Sequence, residues 1–285
     1  MKKHGLAIVV LFLGATAWGV TITMIKSILV QIAPEPFIFW RFTSAGLVLL
    51  VFARQIDRAA LWPGVVLGFL VFTGYWCQTR GLMTISPSRS ALLTGIYVVM
   101  VPFADRLLYR ARIAPPAWIG SFLAVIGTAT LIGGVNARPH LGDALTLVCA
   151  ICFAMHVVLS AKYTASISAL GLAAVQVLFV GLAAAAPAAF VRRPNATREV
   201  VIVVLFTAIV TTALAFVGLM WGQARVTATE AAVMLAFEPV AASFTSVFFY
   251  GEPLTIAFMI GASLILAAMI LSQLPESPKR DPIAP

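Results

Sequence analysis

Charge is what this sequence has least of. Only 10% of its 285 residues are Asp, Glu, Lys or Arg, where a soluble domain carries about 25%. Its 19 cations and 10 anions cannot cover the surface of a body that stands in water. Long polar stretches are missing too, the longest being the tail after Leu274, so there is no room for a separate soluble domain. These absences exclude most soluble enzymes and the nucleic-acid-binding classes. No P-loop, GxGxxG or paired catalytic carboxylates occur, which argues against ATP-driven pumping by this chain alone. An intramembrane enzyme would need a nucleophile or metal set at one depth, and one Glu, one His and scattered cysteines fall short of that. Cys149 and Cys152 have CxxC spacing, but they lie in an apolar run without a second pair, so they read as packing residues. No disulfide, metal or cofactor is expected.

What is present is hydrophobic: 61% of the residues, in long runs split by short polar breaks. A helix crossing about 30 Å of hydrocarbon needs about 20 apolar residues. The runs predict ten spans: Leu6–Val30, Phe37–Phe52, Trp62–Leu82, Ser90–Leu108, Pro115–Ile132, Leu141–Leu159, Ala169–Phe190, Val200–Gly222, Ala231–Tyr250 and Thr255–Leu274. They are continuous rather than alternating, which rules out a membrane β-barrel. The fold class is therefore all-α and polytopic. Breaks fall at helix punctuation such as Pro34 and Pro36, Pro115-Pro116, Gly133-Gly134, Arg192-Arg193-Pro194-Asn195 and Gly251-Glu252-Pro253, where proline suits a helix start and glycine a helix end. The run after Lys2-Lys3 is too long for a signal-peptide core, so it reads as a retained first helix. The net charge of +9 is scattered, and it reads as a record of topology rather than of a polyanionic partner. Lys2 and Lys3 place the N-terminus in the cytoplasm, and an even number of spans returns Lys279-Arg280 to the same side. Arg54, Arg58, Arg106, Arg110, Arg112, Lys162 and Arg225 then fall inside. Arg80, Arg89, Arg138, Arg192, Arg193 and Arg198 fall outside.

The two halves can be superposed. A shift of 141 pairs Gly81 with Gly222, Ser86 with Thr227, Ser88 with Thr229, Ala91 with Ala232, Tyr109 with Tyr250 and Ile119-Gly120 with Ile260-Gly261. A shift of 136 pairs Lys26 with Lys162. The expected division is 1–135 and 136–274, with a polar tail over 275–285. Five spans per half is an odd number, so the second half enters the membrane upside down. Inverted repeats of this kind are the architecture of alternating-access carriers.

Several local patterns fit that picture. They are Gly14-Ala-Thr-Ala-Trp-Gly19 in the first span and Trp40-Arg41-Phe42 in the second. Ser90-Ala-Leu-Leu-Thr-Gly-Ile-Tyr97 with Pro102 lies in the fourth, and Glu230 to Val240 with Gly251-Glu252-Pro253 in and after the ninth. In their order and spacing they resemble the ten-helix, EamA-type members of the drug/metabolite transporter superfamily, and within it the amino-acid exporters of the YddG kind. The resemblance covers Leu6 to Leu274. It implies export of amino acids and similar small metabolites across a bacterial inner membrane. It also implies a cavity ringed by the first four helices of each half, with the fifth and tenth standing outside. A drug or nucleotide-sugar carrier is the nearest alternative, although the latter should carry more cations at midplane.

Polar side chains within spans are costly and so point to function. Glu238 can attract a substrate ammonium or carry a proton; it can equally be a structural acid paired with Arg41 or Lys26. His156 is the other candidate for proton coupling, against a packing role. Tyr75 and Gln78 share a helix face, as do Thr94 and Tyr97, and each pair offers hydrogen bonds to a zwitterion or merely to a neighbouring helix. Trp18 is similarly placed. Gly95 and Pro102, with Pro239 in the equivalent span, are candidate bends for gating, against static kinks. Gly64-Val-Val-Leu-Gly68 is a GxxxG suited to close helix approach. Asn195-Ala-Thr197 reads as a sequon only in a secretory eukaryote.

Overall fold

Helix occupies every one of the ten apolar segments in the computed structural model, which describes residues 2–53, 56–85, 87–131, 140–191, 197–250 and 255–271. No strand occurs among the described residues. The helices are α1 (Lys2–Ile28), α2 (Pro34–Phe52), α3 (Leu61–Leu82), α4 (Pro87–Gly95), α5 (Tyr97–Tyr109), α6 (Pro115–Leu131), α7 (Leu141–Tyr163), α8 (Ala169–Ala189), α9 (Arg198–Ala208), α10 (Ala215–Gln223), α11 (Ala228–Leu235), α12 (Glu238–Tyr250) and α13 (Ile256–Leu271). Seven helical rods are long and apolar enough to cross a membrane: α1, α2, α3, α4 with α5, α7, α8, and α9 through α10. The chain is a polytopic membrane protein. Arg54, Gly133-Gly134, Arg138, Arg192 to Asn195, Gly251 to Pro253 and the tail with Lys279-Arg280 lie outside the described residues.

Local chemistry starts the helices where the sequence allows. Pro34 opens α2, where its missing N–H costs nothing. Ser168 accepts from Gly171 N–H at 3.0 Å and Thr197 from Val200 N–H at 3.3 Å. Thr227 and Glu230 form a reciprocal capping box at the start of α11.

Three rods are interrupted. The fourth expected span breaks at Ile96 between α4 and α5, and the ninth breaks at Ala236-Phe237 between α11 and α12. The eighth passes through one π-helical turn, Ile209–Leu214, between α9 and α10. Neither Pro102 nor Pro239 stands at the break itself: Pro102 lies inside α5, and Pro239 is the second residue of α12.

The interior is mainly apolar, with polar groups buried among it, and the exterior is apolar too. Arg41, Gln176, Thr207, Thr211 and Thr212 are buried, while Leu107, Phe190, Ile256 and Val30 are among the most exposed side chains. Such an apolar exterior is compatible with lipid rather than water. The closest helix pairs are α6 with α13, α2 with α8, α3 with α7 and with α8, and α1 with α12. Small residues permit this. A side chain at Gly68 would stand 2.9 Å from the Gln176 carbonyl, and one at Gly81 would stand 2.9 Å from that of Gly142. The GxxxG of α3 thus seats against α8.

Ion pairs gather at the face where α1 ends. Glu35 of α2 binds Arg80 of α3 at 2.5 Å, and Asp143 of α7 binds Arg89 of α4 at 2.6 Å. Gln31 and Ser27 reach Glu199 at the start of α9 on the same face. The opposite face has His4 against the Arg225 carbonyl at 3.2 Å and Lys162 over the Tyr109 ring at 4.0 Å.

Candidate functional site

The interrupted rods converge on one central cavity. Its open volume is about 60 Å³. Its walls come from α1, α2, α3, α5, α7, α10, α11 and α12, with no contribution from α6, α8 or α13. Six of the seven residues expected to bind substrate line it: Trp18, Tyr75, Gln78, Tyr97, His156 and Glu238. Thr94 does not, and instead accepts a hydrogen bond from Gln78 Nε2 at 3.1 Å. Gly95, Pro102 and Pro239 also lie off the wall.

The two breaks determine what faces the cavity. Tyr97 is the first residue of α5 and Glu238 the first residue of α12. Their numbers differ by 141, the same shift that aligns the halves. A helix N-terminus carries a partial positive charge, so the Glu238 carboxylate sits where the backbone favours it. No hydrogen bond or ion pair holds that carboxylate among the described residues. The counter-ions considered for it are engaged elsewhere. Lys26 Nζ donates to the Leu82 and Ile85 carbonyls at the end of α3. Arg41 Nε donates to Thr212 Oγ1 at 2.7 Å, and its Nη2 donates to Thr211 Oγ1 at 3.2 Å and the Thr211 carbonyl at 3.3 Å.

Arg41 lines the cavity as well, and it was not singled out as a binding residue from sequence. Its position as an ionisable group inside the second span was the available signal. Around it the wall is aromatic. The guanidinium lies 4.8 Å from the Tyr75 ring and 5.2 Å from that of Phe42. Tyr75 packs edgewise on Phe153 at 5.4 Å, and Phe216 stands between Trp18 and His156 at 6.0 and 6.2 Å. Phe153 and Phe216 were likewise unmarked in sequence, since phenylalanine within a span carries no signal of its own.

His156 is tied to Gln176 of α8 at 2.7 Å, a packing partnership that leaves one Gln176 amide atom without a partner. Trp18 Nε1 donates to the Thr211 carbonyl at 2.7 Å, joining α1 to the π turn. Trp18→Phe removes this donor together with the five-membered ring that carries it, and keeps an aromatic six-membered ring. It is expected to lower the melting temperature by a few degrees, consistent with about 1 kcal/mol for one hydrogen bond. An unchanged melting temperature would show that the bond contributes nothing. The three cysteines are buried and unpaired thiols, and no cluster suited to a metal occurs among the described residues.

Comparison with known proteins gives a consistent result. The model of the EamA-like transporter family matches residues 5–133 and again 140–274. An uncharacterized transporter of Archaeoglobus fulgidus is 31% identical over 271 residues, covering 95% of this chain and 85% of the relative. The uncharacterized transporter YyaM of Bacillus subtilis is 23% identical, covering 94% and 93%. A crystal structure with 19% sequence identity superposes with a TM-score of 0.81 over 94% of this chain and 96% of that one, a likeness of fold alone.

Proposed function

The chain belongs to the EamA-like transporter family, membrane transporters and not enzymes, and on that premise we propose that it exports amino acids, aromatic ones included, and related small metabolites. One observation carries the substrate class. Among the described residues, the central cavity holds a buried arginine without an anionic partner and a carboxylate without a cationic one, and aromatic rings share its wall. A zwitterion supplies both missing charges.

The architecture we propose is ten membrane spans in two inverted five-helix repeats, 1–135 and 136–274. The double match of the family model supports it. So does the pattern of contacts. When the halves are exchanged, α3 with α7 corresponds to α1 with α10. Likewise α1 with α11 and α12 corresponds to α7 with α4 and α5. The pairs α2 with α8 and α6 with α13 each map onto themselves. Exchange of the two halves' conformations then opens the cavity to alternate sides. The breaks at Ile96 and at Ala236-Phe237 serve as the bends, close to Gly95, Pro102 and Pro239. The protein resides in the inner membrane with both termini in the cytoplasm, consistent with Lys2-Lys3 and Lys279-Arg280.

Counterflow of labelled amino acids into proteoliposomes holding the purified protein tests this reading. Saturable exchange of phenylalanine and leucine is expected, and absence of saturable flux for every amino acid would refute it. A second reading, a proton-coupled carrier of drugs or other metabolites, draws on the absence of a cation beside Glu238. Tyr75 and Tyr97 share the cavity wall with that carboxylate. An imposed pH gradient separates the two, because only a proton-coupled carrier concentrates its substrate.

A further inference from the structure

Full burial without a carboxylate partner sets Arg41, itself over the Phe42 and Tyr75 rings, apart from the other cations whose contacts are described. Arg80 and Arg89 bind carboxylates, Lys162 and Arg225 lie over ring faces, and Lys26 caps a helix end. Arg41 is 1% exposed and has only neutral oxygens and rings about it. An ionised group buried in a membrane without a counter-charge is expensive, and such groups mark substrate paths.

The Tyr75 hydroxyl of α3 stands beside the guanidinium, but the three acceptors within hydrogen-bond distance of Arg41 belong to a single element. Thr211 and Thr212 sit in the π turn between α9 and α10. A π turn carries a residue more than an α turn and is seldom kept without a local reason. Here its Thr211 carbonyl accepts from two side chains of the cavity wall, Trp18 at 2.7 Å and Arg41 at 3.3 Å. The turn is therefore held in shape by groups that a substrate would meet.

Guanidinium matches carboxylate as a planar fork with two parallel hydrogen bonds. A carboxylate adds an opposite charge and a second parallel bond, which the neutral threonine oxygens lack, so it outcompetes the threonines. We propose that Arg41 is the receptor for the substrate's carboxylate, and that it binds the substrate by giving up Thr211 and Thr212, which frees the π turn. Substrate binding is thereby coupled to movement of the α9–α10 rod against α1 and α2. The coupling has a thermodynamic basis, because the substrate binds the state with Arg41 released better than the state with Arg41 engaged. Glu238, at the start of α12, receives the ammonium. This inference rests on the amino-acid reading above and adds the residue and the moving element to it.

The test uses the full-length protein in nanodiscs and three probes of similar bulk: L-phenylalanine, L-phenylalanine amide and 3-phenylpropionate. In the wild type, phenylalanine should bind at least tenfold more tightly than its amide, and 3-phenylpropionate should compete with it. In Arg41→Gln, phenylalanine affinity should fall at least thirtyfold to the level of the amide, whose own affinity changes less than threefold. Arg41→Lys, which keeps the charge but not the fork, should fall between. Hydrogen exchange at residues 209–214 should quicken with phenylalanine and not with the amide. The wild-type comparison of acid with amide stands even if a variant fails to fold. Equal binding of acid and amide, or an acid preference that survives in Arg41→Gln, overturns the assignment and leaves the amino-acid reading intact. Unchanged exchange in the turn overturns the release step. Failure of all three probes to bind overturns both.

Discussion

Glu238→Gln is expected to lower amino-acid counterflow by about one to three orders of magnitude while the protein stays folded. The amide keeps the shape of the side chain and loses the charge that receives the substrate ammonium. Losing one member of a desolvated charge pair costs about 2–5 kcal/mol, and every 1.4 kcal/mol is a factor of about ten. In the empty protein the sign is reversed. Among the described residues the carboxylate lies beside no cation within salt-bridge distance, so neutralising it removes a desolvation cost, offset in part by the start of α12. The melting temperature without substrate should therefore hold or rise as transport falls. A structural acid would behave differently, with stability falling alongside flux. Normal counterflow in Glu238→Gln would remove the residue from the mechanism.

Gly19→Ala is expected to be severe, and Gly14→Ala almost silent, although both glycines belong to the same short motif. A methyl group at position 19 would run into the Glu238 carbonyl oxygen and stand 2.7 Å from Ala241 Cβ and 2.8 Å from Ala242 N. Two of these atoms are backbone, so no side-chain rotation relieves the overlap. Overpacking of this kind typically costs about 1–3 kcal/mol, and here it acts where α1 crosses the start of α12. A methyl group at position 14 meets nothing within 4 Å, and exchanging glycine for alanine within a helix gains about 0.5–1 kcal/mol. Fluorescence-detected size exclusion and thermal melts of the two variants provide the comparison. We expect Gly19→Ala to melt several degrees lower and Gly19→Leu to yield no monodisperse peak, with Gly14→Ala at or above wild type. Equal behaviour of Gly14→Ala and Gly19→Ala would mean that α1 and α12 do not approach as described.

The helices were legible because a membrane-spanning helix needs little beyond length and hydrophobicity. The limits of α3 and α8 agree with the sequence to within one residue at each end. Where the helices break was less legible. Of the candidate bends, Gly95 is the last residue of α4, next to the break, whereas Pro102 and Pro239 stand beyond theirs, since a proline disturbs the carbonyl four residues before it. For Pro239 that carbonyl belongs to Leu235, the last residue of α11. For Pro102 it is Val98, two residues past the break at Ile96. The π turn left no mark, since Ile209 to Leu214 reads as ordinary apolar span. Arg41 was visible in the sequence but was considered as a counter-ion for Glu238. Only the packing of α2 against the π turn gives it Thr211 and Thr212 instead. Thr94 shows the converse: a polar residue at helical spacing from Tyr97 is used up by Gln78 and never reaches the cavity.

The equivalence of Tyr97 and Glu238 bears on how such a site arises. On the duplicated architecture proposed above, a half-length ancestor pairing with a second copy of itself would carry the same residue at both breaks. Two glutamates there would repel each other and favour dications, and two tyrosines would offer no charge at all. A zwitterion has one ammonium to place, so a single acid is what it requires. On that architecture the asymmetry requires only that the two copies be separate stretches of sequence, free to differ at this pair of positions.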